Sequence, residues 1–124
     1  NSIITGATMP KGRIHLKIGK PIKNELQQIE TATNENEKIK QLTAFIDQQI
    51  YQNYKLWPVN YAAMDILENT QNHTAHYSSA DKENFLKYIH LKIAKLQGDT
   101  ETLLNMFLKI YANPVKSRLL QIQY

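Results

Sequence analysis

Hydrophobic residues recur with two different periods along this chain. From Gly12 to Gly19 the sequence alternates, with Ile14, Leu16 and Ile18 on one side and Arg13, His15 and Lys17 on the other. A two-residue period bounded by glycines predicts a half-buried β-strand. Lys20-Pro21-Ile22 ends it, because proline has no N–H to give to a ladder. A single strand is not stable alone, so three arrangements stay open. Ile3 and Ile4 supply a partner strand through the turn-like Gly6 to Gly12 stretch, or the strand is the edge of a sheet whose remainder lies outside this chain, or residues 1–5 are the tail of a helix closed by Gly6.

Beyond the polar stretch Thr31 to Asn36 the period becomes helical. Ile39, Leu42, Phe45, Ile46, Ile50 and Tyr54 share one side of a wheel, which predicts an amphipathic helix over residues 36–54. Lys55-Leu56-Trp57-Pro58 breaks it, and Pro58 suits the first turn of the next helix. In Val59 to Asn69 the apolar residues go around the wheel, so this short helix should be buried on several sides. Residues 70–78 read as a loop. Ser78 or Ser79 caps a third helix striped with Phe85, Leu86, Ile89, Ile93 and Leu96 and closed by Gly98. Asp99 or Thr100 caps a last one, in which Leu103, Leu104, Met106, Phe107, Leu108, Ile110 and Tyr111 cover more than half the circumference, the mark of a central helix. Asn113-Pro114 should interrupt it, with a final turn over Val115 to Leu120. The predicted fold is mainly α, about four helices packed behind one or two N-terminal β-strands.

Composition narrows the chemistry. The 124 residues suit one modest domain. With no cysteine there is no disulfide scaffold, thiolate zinc site or cysteine nucleophile. No stretch approaches the ~20 apolar residues of a bilayer span, and the opening residues lack a signal-peptide layout. The chain starts in mid-pattern without methionine, as a piece of a longer polypeptide would. Net charge is +4, and of 15 basic side chains only Arg13 and Arg118 are arginine. Lys11, Arg13, Lys17, Lys20 and Lys23 make a basic front, followed by an acidic middle containing Glu25, Glu30, Glu35, Glu37 and Asp47. Lysine serves bidentate phosphate and base recognition poorly, and solvated polar faces have this character too, so no nucleic-acid partner is expected.

Several side chains invite a chemical reading. His76 and Asp81 stand at the H-x-x-x-x-D spacing with which glycerolipid acyltransferases place a general base beside an orienting aspartate. Asp81 stands where a helix wants an N-terminal anion, no glycine-rich phosphate block follows, and the pair is better explained as a capped helix start. His73 and His76 lack a third metal ligand at useful spacing, and His15 and His90 belong to polar faces. No metal or cofactor is expected. Tyr51, Tyr54, Trp57 and Tyr61 could stack bases, but their spacing across a helix end and a helix start fits a packed elbow. Asp65, inside the multi-sided helix, is a buried acid that must find a lysine or a backbone N–H. Lys82, Lys87, Lys92 and Lys95 scatter around the third predicted helix, a weak signature for an anionic membrane surface.

Met9 to Ile22 (MPKGRIHLKIGKPI) and Ile46 to Ala63 (IDQQIYQNYKLWPVNYAA), with the ending Tyr111 to Lys116 (YANPVK), resemble the C-terminal part of bacterial glycerol acyltransferases of the Bacteroidetes type, related to 1-acyl-glycerol-3-phosphate acyltransferases. The resemblance implies that residues 1–24 hold the terminal strand of a parent α/β acyltransferase sheet and residues 25–124 a single helical extension. It implies acyl transfer from acyl-CoA or acyl-ACP to a lysophospholipid or glycerol-type hydroxyl, by a cytoplasmic parent peripheral at the inner membrane. The family's histidine-aspartate motif precedes this region, so no catalytic or cofactor-binding residue carries over and the segment alone should be inactive. Trp57, Pro58, Asn60 and Tyr61 match the family's Tyr-x-Leu-(Trp/Phe)-Pro-x-Asn-Tyr run and, with Asp65, are expected to be structural. The expected partners are the upstream acyltransferase domain, an anionic membrane surface and, through an exposed strand edge, a second copy. The alternative is a stand-alone helical module that binds a protein partner or an anionic membrane.

Overall fold

The longest regular stretches start where a side chain can occupy the first free backbone N–H groups. In the computed structural model, which describes residues 2–10 and 12–122, Asn34 accepts from the Glu37 N–H at 2.9 Å and starts α3 (Glu35–Asn53). The element order is α1 (Ser2–Thr8), α2 (Asn24–Glu30), α3, α4 (Pro58–Glu68), a 3-10 turn (Thr74–His76), α5 (Ser79–Ile93) and α6 (Thr100–Ile122). Lys11 of the basic front and the terminal residues Asn1, Gln123 and Tyr124 lie outside the described residues.

The core is built on α4, which packs most extensively on α6 and also meets α5. Ala62 and Ala63 are fully buried, and their small side chains let α4 approach the Leu108, Ala112 and Val115 stripe of α6. Phe85, Ile89 and Ile93, one turn apart on α5, close the third side. The last helix holds the central place that its breadth predicts, since α6 meets α3, α4 and α5. On α6, Met106 and Ile110 stay exposed.

The mainly-α prediction with helices behind one or two strands is corrected in its second half: the fold is all-helical, and no strand forms among the described residues. Ile3 and Ile4 belong to α1, which runs through Gly6, and residues 12–23 form no regular element. Alternation shows that a segment could make a strand, but the strand's hydrogen bonds must come from a neighbouring backbone. No strand pairs with it among the described residues, and Ile14, Leu16 and Ile18 stand 83, 84 and 87% exposed. The ladder edge expected to pair two copies is likewise not formed.

Pro114 is the second difference, since α6 continues through it. An interior proline removes one helix hydrogen bond and crowds the preceding turn. Here Asn60 Nδ2 donates to the Tyr111 carbonyl in that turn at 2.9 Å, and Ile110, whose carbonyl loses its N–H partner, faces water. The third helix stops at Ile93, before Gly98, whose φ of 146° belongs to the turn into α6. α2, which packs on α3, was not legible as a separate element.

α3 has no buried residue, so its attachment depends on specific bonds. Arg118 of α6 reaches its C-terminus, where Nε donates to the Tyr51 carbonyl at 3.0 Å and Nη2 donates to the Tyr54 carbonyl. A guanidinium there fills orphan acceptors and meets the negative end of the helix dipole. Arg118→Met should cost about 1–2 kcal/mol. Native-state amide exchange should locate the loss in residues 35–53 and leave α4 protected; equal loss across both helices would refute this attachment.

Candidate functional site

Asp65 lies on the third turn of α4 and is 1% exposed. Asn69, in the left-handed conformation (φ 52°), ends the helix and folds the next residues back over it. Thr70 Oγ1 donates to Asp65 Oδ1 at 2.9 Å, and the His73 N–H and Tyr77 hydroxyl donate to Oδ2 at 3.0 and 2.8 Å. One carboxylate thus ties the 70–77 loop to α4. Its partners are a backbone N–H and two hydroxyls, with no lysine.

Burial pushes the Asp65 carboxyl up, but the Tyr77 hydroxyl, the His73 N–H and the Thr70 hydroxyl, helped by the His73 imidazole, outweigh it and hold the group below its ordinary value. Burial and then the Asp65 carboxylate raise the Tyr77 phenol. A general base for neutral pH needs a raised pKa and a lone pair open to substrate; Asp65 has a lowered pKa, bonds on both oxygens and almost no exposure. The linkage signs follow. Asp65 contributes stability above its unfolded pKa near ~3.9, and this is lost as pH falls through the depressed folded value. Tyr77 contributes below its unfolded pKa near ~10, and this is lost as pH rises through the raised folded value. Thermal melts should therefore be flat between about pH 5 and about pH 9 and fall on both sides, with Tyr77→Phe losing part of the alkaline decline.

The loop histidines meet Tyr61. Its ring stacks on His76 at 4.1 Å and 13° and lies tilted to His73 at 5.7 Å and 44°. Asp81 instead closes the capping box of α5: its Oδ2 accepts the Ser78 N–H and hydroxyl, both at 2.8 Å, while Ser78 Oγ accepts the Asp81 N–H at 3.1 Å. No hydrogen bond or ion pair joins His76 to Asp81 among the described residues. His90 Nδ1 sits 2.7 Å from the Leu86 carbonyl, and His15 is exposed. Among the described residues no group of three or more His, Asp or Glu side chains could hold a metal ion. No helix there is long and apolar enough to cross a membrane.

The residues of the Trp-Pro-x-Asn-Tyr run meet at the corner between α3 and α4. Trp57 is the N-cap and Pro58 the first residue of α4. Asn60 Oδ1 accepts the Trp57 N–H at 2.7 Å while its Nδ2 holds the Tyr111 carbonyl, so one buried carboxamide fixes the start of α4 and its crossing of α6. Arg13 and Lys55 lie over the Trp57 ring at 5.0 and 5.5 Å from its centroid. Sequence reasoning missed Arg118 at this corner. Its carbonyl partners lie 64 and 67 residues earlier, which no local spacing encodes. Comparison with protein-family models, with curated proteins and with solved structures finds no match.

Proposed function

We propose that this chain is the non-catalytic, helical C-terminal part of a glycerolipid acyltransferase, docked through residues 12–22 on the domain that carries the chemistry. The reading starts from the resemblance of Met9–Ile22, Ile46–Ala63 and Tyr111–Lys116 to that family. One observation carries it further: the helical core closes without Ile14, Leu16 and Ile18, which stand more than four-fifths exposed. A chain that leaves three aliphatic side chains outside a satisfied core suits attachment to another surface. A second copy suits it poorly, because Arg13, Lys17, Lys20 and Lys23 would meet their own sign. The parent would act in the cytoplasm at the inner membrane, on an acyl thioester and a lysophospholipid or glycerol-type acceptor.

The test is an acyl-transfer assay with acyl-CoA and acyl-ACP against lysophosphatidic acid, comparing the polypeptide of the complete reading frame with residues 1–124. The expected result is transfer by the longer chain and none by the shorter. Ile14→Asp with Ile18→Asp should lower the melting temperature of the longer chain and leave residues 1–124 unchanged. Transfer by neither would overturn the acyltransferase reading in favour of a helical binding module.

A further inference from the structure

Where residues 12–22 pass the α3–α4 corner they leave two adjoining cavities. The first, about 430 Å³, is lined by Leu16, Ile50, Tyr54 and Trp57 and by the basic Lys17 and Lys55. The second, about 540 Å³, shares His15, Lys17 and Lys55 with the first and is bordered by Arg118. No aspartate or glutamate lines either cavity among the described residues; Asp81, whose carboxyl the Arg13 guanidinium helps to lower, lies outside both. Lys17 and Lys55 line both cavities, so apolar and cationic surface adjoin there.

We infer that this double cleft binds an anionic amphiphile, with the aliphatic body against Leu16, Ile50 and Trp57 and a carboxylate or phosphate head between Lys17 and Lys55. The volumes lie in the range of small-molecule sites. Leu16 and Ile50 are 84 and 53% exposed, so an aliphatic chain laid across them removes apolar surface from water. Two ammonium groups without a competing carboxylate favour an anion at the shared edge. Arg118 is committed to two carbonyls and contributes field, not a direct bond. The inference concerns binding by residues 1–124 alone and does not rest on the acyltransferase reading, in which Leu16 would instead be covered by the upstream domain.

Trp57 is the only tryptophan, so its emission reports the cleft directly. Residues 1–124 would be titrated with decanoate and decyl phosphate below their micelle concentrations, with decanol and inorganic phosphate as half-ligands, and with phosphatidylglycerol vesicles as an anionic surface. The expected result is saturable binding of both amphiphiles, at least about tenfold tighter than either half-ligand and weakened by salt. Lys17→Ala should weaken decanoate about three- to fivefold and Leu16→Asp about tenfold. Both positions are exposed, and circular dichroism would confirm an unchanged fold. Decanol binding as tightly as decanoate, phosphate binding as tightly as decyl phosphate, vesicles binding without monomeric decanoate, or indifference to both substitutions would each overturn the inference.

Discussion

Asp65→Ala will lower the stability of this chain by about 3–5 kcal/mol in denaturant unfolding, a large share of the ~5–15 kcal/mol available to a domain. Three donors converge on this carboxylate, and the His73 N–H cannot turn away. Each buried donor left without an acceptor costs about 1–3 kcal/mol. Asp65→Asn separates acceptor from charge. With its oxygen in the place of Oδ2 the amide still takes the His73 N–H and the Tyr77 hydroxyl, and its NH₂ faces Thr70, whose hydroxyl can rotate to accept. That variant should cost about 1–2 kcal/mol. It should also lose the acid limb of the pH profile that Asp65 produces. Equal costs for Ala and Asn would mean that the group is kept for its charge.

Phe85→Ala is the second large effect, about 3–5 kcal/mol. Phe85 is 3% exposed and sets its ring edgewise against Tyr111, 5.0 Å between centroids at 76°. Its loss removes the transfer energy of the ring and leaves a cavity between α5 and α6 that fixed neighbours cannot fill. A cycle with Tyr111→Leu should show coupling of about 0.5–1.5 kcal/mol from the ring pair. A cost below about 2 kcal/mol would show that α5 can shift to refill the site. Burial, and next the neighbouring Tyr88 hydroxyl, push Tyr111 up to about 12, so its ultraviolet titration should be delayed in the wild type and normal once the chain unfolds.

The helices that were legible in advance announce themselves through local chemistry. The expected span 36–54 lies one residue from α3, and Ser78 and Asp99 hold the free N–H groups at the starts of α5 and α6. The failures share a different cause. Strand formation at Gly12–Gly19 depends on a neighbour that periodicity does not reveal. The continuity of α6 through Pro114 coincides with a contact from Asn60, some fifty residues earlier. The close approach of α4 to α6 rests on Ala62 and Ala63, whose small side chains weigh little in an apolar count and much in how closely helices pack. At the candidate site, the need of a buried Asp65 for partners could be read from its surroundings in the sequence. Tyr77 and the His73 N–H could not, because a left-handed Asn69 folds the loop back to deliver them.

The crossing of α4 over α6 also sets an order of events during synthesis. At about 5–20 residues per second, the Ala62–Ala63 face leaves the ribosome seconds before Leu108, Ala112 and Val115 can cover it. The donors to Asp65 come from no farther than Tyr77 and are local in sequence, while the core on which Tyr77 packs waits for the last helix. A nascent polypeptide halted at Asp99 would carry its main apolar face uncovered, a target for holdase chaperones until the last helix arrives.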